Sequence, residues 1–283
     1  MKKILVPCDF SKPAVNAFRF ALDIASKSRE TVHLVNVIEL PVVHDSLLMP
    51  VLSFEEEMLN DLREKVNSEF KKLKDQYSKD GVKIVFHVGH GVISRTLLDY
   101  ATEHAIELIV MGSHGSSGLR ELLIGSNAEK IVRNSAIPVM VLKQHFTGPI
   151  KNIIFPNTLE TEKQEDLVMK VKALQHFFGA TLHIVWINTP TNFASDTITN
   201  KRLKTFAERF MLKDFTINVF NHHNEEEGIM NFTQMINGDM IAMGTHGRKG
   251  ISHALLGSVA EEIVNHTDNI IWTYTMANEP VEA

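Results

Sequence analysis

The sequence predicts an α/β protein of two tandem domains, each built on a doubly wound parallel sheet. One observation is a repeat, because residues 111–132 and 243–264 are identical at 12 of 22 aligned positions. Another is the alternation of short, wholly apolar runs with longer amphipathic segments, which is typical of parallel strands covered by helices on both faces. The chain therefore divides into two units of about 140 residues. We predict domains at residues 1–144 and 150–283, joined by a linker that Gly148 and the following proline keep irregular.

The first domain opens on a short apolar strand that Pro7 closes. Ser11 and Pro13 then supply a capping hydroxyl and a proline where a helix should begin. Segment 40–53, which contains two prolines, is expected to be a flap or a contact surface. Apolar runs and amphipathic periodicity place the remaining elements. The expected strands are 4–6, 31–38, 82–87, 107–111 and 138–142, and the expected later helices are 54–79 and 94–104.

The second domain repeats this order of elements. The second strands align at an offset of 150 residues, whereas the glycine motifs align at 132, so the first domain is 18 residues longer between its second and fourth strands. Most of the excess is assigned to segment 40–53 and the charged helix after it. The expected strands are 153–155, 181–187, 215–220, 240–243 and 269–275, and the expected helices are 161–178, 196–212 and 225–235.

The composition is that of an ordinary soluble globular protein, with 44% hydrophobic and 22% charged residues. A formal net charge of −5 and a pI near 6.3 argue against a nucleic-acid partner, which would favour a basic excess on one face. Cys8 is the only cysteine, which excludes an intramolecular disulfide and cysteine-based metal sites. No run approaches roughly 18 apolar residues, and the first residues are too polar for a signal peptide. We therefore expect a cytoplasmic protein without a membrane partner.

A glycine motif follows the fourth strand of each domain. Gly-x2-Gly-x9-Gly-Ser begins at Gly112 in the first domain and at Gly244 in the second. A strand, a glycine-rich loop and a helix N-terminus bring unpaired N–H groups and partial positive charge to one place, which favours a phosphate ligand. The motif matches neither the P-loop nor the Rossmann pattern.

These features resemble the universal stress protein family, in its tandem form. The resemblance rests on the duplicated glycine motif and on Val-Pro-x-Asp-x-Ser at the end of the first strand, which spans residues 6–11. It implies an adenine-nucleotide alpha-hydrolase-like fold and a regulatory role in the stress response, with ATP as the ligand. The resemblance leaves open whether AMP or ADP replaces ATP, and whether Mg²⁺ accompanies it.

The resemblance also implies a set of binding residues. In nucleotide-binding members, the aspartate after the first strand lies near the adenosine, which here is Asp9 beside Pro7, and the end of the second strand meets adenine, which here is Val37. Ribose and phosphates would be lined by the residues of the first glycine motif: Met111, Gly112, Gly115, Gly125, Ser126 and Asn127. The second motif retains Met243, Gly244, Gly247, Gly257 and Ser258.

The second domain departs from the family pattern after its first strand. The proline there is followed by Asn157 and Thr158, and Thr158 aligns with Asp9. A carboxylate that could accept hydrogen bonds from a nucleoside is therefore missing. We expect a partly degenerate second site, where Arg248 and Lys249 could pair with phosphate instead.

Several histidines are candidates for proton transfer or metal binding. His114 and His246 lie in the glycine motifs and could carry protons, but a hydrogen-bonding role in the loop is favoured. His222 and His223 could suggest zinc, together with histidines near the third strand of the first domain. Adjacent residues at the end of a strand point to opposite faces, and neither a cysteine nor a placed carboxylate completes a site, so no metal site is predicted.

No catalytic residue is predicted. Asp9 as a general base is the only catalytic hypothesis, and phosphoryl transfer also needs positioned cations and an oriented nucleophile. Any ATP hydrolysis should be slow. Cys8 is expected to be buried beside the first strand rather than redox-active. The alternatives left open are a ligand-free interaction scaffold and an ATP-consuming enzyme.

The last predicted strand of each domain is expected to pair with the other. Strands 139–142 and 271–275 would then form an internal pseudo-dimer and protect two exposed edges at once. A further homodimer and an unidentified protein partner remain open.

Overall fold

The computed structural model describes residues 3–28, 30–39, 51–113, 124–159, 164–246 and 255–276. Strands and helices alternate along both halves. The first half contains β1 (Lys3–Pro7), α1 (Lys12–Ser28), β2 (Thr31–Ile38), α2 (Val51–Tyr77), β3 (Lys83–His90), α3 (Ile93–Glu103), β4 (Leu108–Gly112), α4 (Ser126–Asn134) and β5 (Val139–Leu142). The second contains β6 (Asn152–Pro156), α5 (Glu165–Phe178), β7 (Thr181–Asn188), α6 (Asp196–Arg209), β8 (Phe215–Asn221), α7 (Glu225–Met235), β9 (Met240–His246), α8 (Leu255–His266) and β10 (Ile270–Met276).

The ten strands of the described ranges lie in one sheet, in the order β3-β2-β1-β4-β5-β10-β9-β6-β7-β8. Neighbouring strands are parallel within each half. The two halves join where β5 and β10 pair antiparallel, with Trp272 opposite Met140 and Thr273 opposite Val139. This confirms the expected pairing of the last strands, which buries the two edges that separate domains would expose.

The core lies in two apolar layers, one on each face of the sheet. Helices α1, α2, α5 and α6 cover one face, and α3, α4, α7 and α8 cover the other. The two-sided cover explains why the strands are apolar throughout, as a doubly wound sheet requires. Among the described residues, no helix combines the length and the apolar character needed to cross a bilayer.

The predicted third strand was too short. It was expected to end at His87, but β3 continues to His90, which pairs with Ile38 of β2. Gly89 and two histidines interrupt the apolar pattern there, although their backbone groups stay in register with β2. Sheet pairing, not side-chain polarity, sets the end of this strand.

Two other predicted ends also differ from the structure. The helix expected to reach residue 212 ends at Arg209, because Met211 adopts a left-handed φ of 48°. The strand expected to end at Met243 extends to His246, which pairs with Met276 of β10. The expected flap at 40–53 lies largely outside the described residues, as does the start of the helix expected at 161.

Candidate functional site

The loop between β1 and α1 reaches the carboxyl edge of the sheet, where ligands bind in open parallel sheets. The N–H of Cys8 donates to the carbonyl of Val35 at 2.8 Å, and the side-chain amide of Asn36 donates to the carbonyl of Cys8 at 2.8 Å. Asp9 is exposed, and its Oδ1 accepts a hydrogen bond from the N–H of Ser11 at 3.0 Å. The loop thus holds a carboxylate at the carboxyl edge of the first half, and we call this edge the first cleft.

The second domain builds the same loop with different chemistry. Asn157 donates its N–H to Val185 at 3.1 Å, the counterpart of the bond from Cys8, so Thr158 occupies the position of Asp9. Gln164 accepts from the Asn157 side-chain amide at 2.6 Å and donates to the Thr158 hydroxyl at 3.3 Å. An amide network therefore replaces the carboxylate.

The first glycine of each motif permits close packing. A Cβ on Gly112 would lie 2.7 Å from the carbonyl carbon of Pro13, at the start of α1. A Cβ on Gly244 would lie 2.7 Å from Cδ2 of Leu167 on α5. Both glycines let a helix approach the end of its strand, which is a reason for glycine that needs no ligand.

The helix that follows each glycine loop starts differently in the two halves. Gly125 is the N-cap of α4, with φ −63° and ψ 142°, and its N–H donates to the carbonyl of Ser113 at 2.7 Å. Helix α8 begins earlier, at Leu255, so that Gly257 and Ser258 lie inside its first turn. Gly125 therefore caps its helix, whereas Gly257 lies within its own.

The remaining predicted binding residues divide into three groups. Pro7, Val37 and Asn127 are half-buried at the carboxyl edge, and Ser126 is exposed there. The side chains of Met111 and Met243 are 5% and 2% exposed and belong to the core. The members that fall outside the described residues are Gly115 and Gly247, with His114, Arg248 and Lys249 from the same loops.

A shallow, open pocket lies at the carboxyl edge of the second half, and we call it the second cleft. Thr158, Gln164 and Met243 contribute to its wall, and so does Glu225, which sequence reasoning missed. Burial, and secondarily the neighbouring Glu226, raises the pKa of Glu225. Acidic residues are common in the first turn of a helix, because they interact favourably with its N-terminus. The run of three glutamates at the start of α7 is therefore ordinary in the sequence, and it does not indicate that one of them lines the second cleft.

The geometry expected of the adjacent histidines was wrong. The rings of His222 and His223 lie on the same side, with centroids 4.4 Å apart and planes inclined by 34°. The strand ends at Asn221, so both histidines lie in the β8–α7 connection and the alternation of a strand does not apply. A carboxylate is also present, because Glu227 Oε2 lies 3.4 Å from His223 Nε2.

The duplicated architecture and loops agree with comparisons to known proteins. A sequence model of the universal stress protein family matches residues 1–143 and again residues 150–269. The chain belongs to the universal stress protein family. It is a tandem member, since the family model matches both halves.

Individual relatives match a span equal to about half of this universal stress protein. Universal stress protein MJ0531 of Methanocaldococcus jannaschii is 32% identical over 137 residues, covering 48% of this chain and 79% of that protein. Universal stress protein MJ0577 of the same organism is 30% identical over 148 residues, covering 48% and 91%. The crystal structure of a universal stress protein from Archaeoglobus fulgidus covers 97% of this chain and 98% of its own, with a TM-score of 0.76 and 18% identity. That likeness shows that the ten-stranded tandem fold has a solved counterpart.

Proposed function

We propose that this tandem universal stress protein binds an adenine nucleotide, ATP in the first instance, in its first-domain cleft. The observation that carries the proposal is the arrangement at the carboxyl edge of the first half, where exposed Asp9 follows β1 and Gly125 caps α4 after β4. A helix N-terminus attracts phosphate, and a carboxylate accepts hydrogen bonds from ribose or adenine. ADP or AMP would use the same contacts, and Mg²⁺ would accompany the phosphates of ATP.

The second cleft is proposed to bind nucleotide more weakly. Thr158 and Gln164 satisfy each other by hydrogen bonding where the first domain has a carboxylate. Glu225 adds negative charge to the wall of this cleft, which opposes an anionic ligand. Helix α8 also begins before Gly257 and Ser258 instead of opening on them.

The role we propose is regulatory rather than catalytic. Nucleotide in the first cleft would favour one arrangement of the loops around it and so change a surface that a protein partner recognises. Asp9 is the one candidate base, and its Oδ1 already accepts from the N–H of Ser11. We expect at most slow ATP hydrolysis, because phosphoryl transfer needs several positioned groups at once.

Calorimetric titration of ATP, with and without Mg²⁺, into nucleotide-stripped protein tests this proposal. Gly125→Ala and Gly257→Ala are a pair of variants at positions that the two glycine motifs align. The backbone of Gly125 lies in a region open to any residue, so alanine adds only a methyl group at the site. Loss of binding in Gly125→Ala alone is expected. Wild-type protein that binds no ATP, or a larger loss in Gly257→Ala, would contradict the proposal.

A specific observation favours a second candidate, a ligand-free interaction scaffold. The packing of Gly112 against Pro13 and of Gly244 against Leu167 explains both glycines without a nucleotide. The scaffold would depend on the outer surface of the pseudo-dimer instead of the clefts. Failure of the stripped wild-type protein to bind ATP, ADP or AMP would favour it.

A further inference from the structure

The connection between β8 and α7 carries His222 and His223, and Glu227 follows on the first turn of α7. One ligand atom from each of these three side chains lies within 4.8 Å of the others. Imidazole nitrogens and a carboxylate oxygen are the donor types that bind zinc and neighbouring transition metals. The group lies outside the predicted nucleotide-binding residues.

The connection between β8 and α7 is longer than its first-domain counterpart between β3 and α3. The N–H of Gly91 donates to Ile38 at 3.0 Å, and the N–H of His222 makes the equivalent bond to Asn188 at 3.1 Å. In the first domain, residues 91–92 lie between β3 and α3, whereas in the second domain residues 222–224 lie between β8 and α7. The histidine pair therefore accompanies a one-residue insertion, and the first domain has a glycine where His222 stands.

The ring of His222 is oriented by its neighbours. Its Nδ1 lies 3.0 Å from the carbonyl oxygen of Asn224, and its Nε2 lies 3.1 Å from the side-chain nitrogen of Asn231. In the tautomer whose Nδ1–H donates to that carbonyl, Nε2 keeps its lone pair and accepts from Asn231, a hydrogen bond that a metal ion at Nε2 would replace. In the other tautomer, Nδ1 accepts from the backbone N–H of Asn224 at 3.3 Å. A backbone carbonyl that fixes the far nitrogen is the usual support of a metal-binding histidine.

Close packing also holds the base of His222. A Cβ on Gly228 of α7 would lie 3.0 Å from the Cβ of His222 and 2.6 Å from Ile187 Cγ2. The missing side chain at Gly228 lets the helix pack directly against this histidine. The ring is thus presented from a rigid contact between α7 and the sheet.

Glu227 completes the group from a fixed position on the helix. Its N–H donates to Asn224 Oδ1 at 3.0 Å, which caps α7 and sets the first turn. Its Oε2 lies 3.4 Å from His223 Nε2. The side chains of His223 and Glu227 are 72% and 54% exposed, so both can rotate without disturbing the core.

We propose that His222, His223 and Glu227 form a binding site for a divalent transition-metal ion of the zinc class. Tetrahedral ligands at Zn–N distances near 2.0 Å lie about 3.3 Å apart, so the donors need only a modest closure from their present separation. Water would fill the fourth position. Mg²⁺ and Ca²⁺ prefer oxygen ligands and are not expected to compete.

Zinc competition against a chromogenic chelator, using the full chain without nucleotide, tests the site. The wild-type protein should take up one Zn²⁺ that His223→Ala and Glu227→Gln bind at least about tenfold more weakly. His90→Ala is the matched control, since it removes an exposed histidine at the equivalent strand end of the first domain, and it should leave this binding unchanged. His223 is largely exposed, so its replacement should not unfold the chain.

A second readout locates the ion. Zinc should shift the imidazole NMR signals that disappear in His223→Ala, and millimolar Mg²⁺ should not. Equal zinc affinity in wild type and His223→Ala, or a loss of affinity in His90→Ala instead, would overturn the proposal. Because no nucleotide is present, either result is independent of ATP binding.

Discussion

Asn265 of α8 in the second half accepts, through its side-chain oxygen Oδ1, a hydrogen bond from the backbone N–H of Ile124 in the first half. Ile124 immediately precedes Gly125, the N-cap of α4. Asn265 is 4% exposed, and its own carbonyl accepts from Lys143 Nζ at 2.7 Å. The second domain therefore anchors the residue that precedes the N-cap of the proposed phosphate-binding helix of the first.

Replacement of Asn265 by alanine should loosen this anchor. The N–H of Ile124 loses its partner, and we expect the free energy of unfolding to fall by about 1 to 2 kcal/mol. ATP affinity should fall as well, because the N-terminus of α4 is less well held. Urea unfolding and ATP titration measure the two effects.

Thr275→Val is the control for the Asn265 variant. The Thr275 hydroxyl donates to the carbonyl of Val132 at 3.2 Å across the same junction, but at the far end of α4. It should lower stability without changing ATP affinity. Equal affinity losses in both variants would show that Asn265 has no special effect on the loop.

Gly112→Ala and Gly244→Ala should differ in stability. The new methyl group at 112 meets the backbone of Pro13, which cannot move without shifting α1, so we expect a loss of about 2 to 3 kcal/mol. At 244 it meets the ends of Leu167 and Met276, which can rotate away, and the loss should be about 1 kcal/mol or less. Chemical denaturation of both variants gives the comparison, and an equal or reversed order would contradict this packing explanation.

Cys8 should be inert in the folded protein. Burial raises the pKa of its thiol from 9.0 to about 12, and Asp9 adds to the increase, so the reactive thiolate is scarce at pH 8. A thiol reagent should label the native chain far more slowly than the chain in urea. Rapid labelling of the native protein would contradict the buried position.

The same thiol gives stability a dependence on alkaline pH. The folded state holds the proton more tightly than the unfolded state, so this contribution is complete below about pH 9. It is lost as the pH rises from 9 towards 12. Cys8→Ala should show a smaller loss of stability over that window than the wild-type protein.

Glu225→Gln should stabilise the second half near neutral pH. Burial raises the pKa of Glu225 above its ordinary value of 4.5, so ionisation of this carboxyl destabilises the folded state relative to the unfolded chain. Its contribution to stability is present below pH 4.5 and is lost as the pH rises above that value. The variant should therefore unfold at a higher urea concentration than the wild-type protein at pH 7. At pH 4, where the wild-type carboxyl is also neutral, the two proteins should unfold at about the same urea concentration. A variant that is less stable than wild type at pH 7 would contradict this account.

Glu225→Gln should also bind ATP more tightly in the second cleft, because it removes a negative charge from the wall of that cleft.

The sequence was sufficient to predict the fold but only part of the site. Apolar periodicity located the strands. Duplication predicted that 139–142 pairs with 271–275, because the last strand of each half would otherwise expose unpaired backbone N–H and C=O groups. The missing carboxylate at Thr158 was also predictable from alignment on Pro156. These features depend on local pattern and on repetition.

Other features depend on contacts that no local pattern records. The end of β3 at His90 is set by pairing with β2, and the side-by-side rings of His222 and His223 follow from a one-residue longer connection. In the sequence, Glu225 is one of three glutamates in the first turn of α7, and only the fold shows that it lines the second cleft. The anchor between Asn265 and Ile124 joins residues 141 positions apart and depends on how the two halves meet.

The central claim is that one of the two clefts binds adenine nucleotide. Equilibrium dialysis of labelled ATP against the nucleotide-stripped full chain, with GTP as competitor, tests it most directly. We expect about one tightly bound ATP per chain, displaced by ADP or AMP but not by equal GTP. No bound ATP, two equivalent ATP molecules, or equal displacement by GTP would contradict the claim.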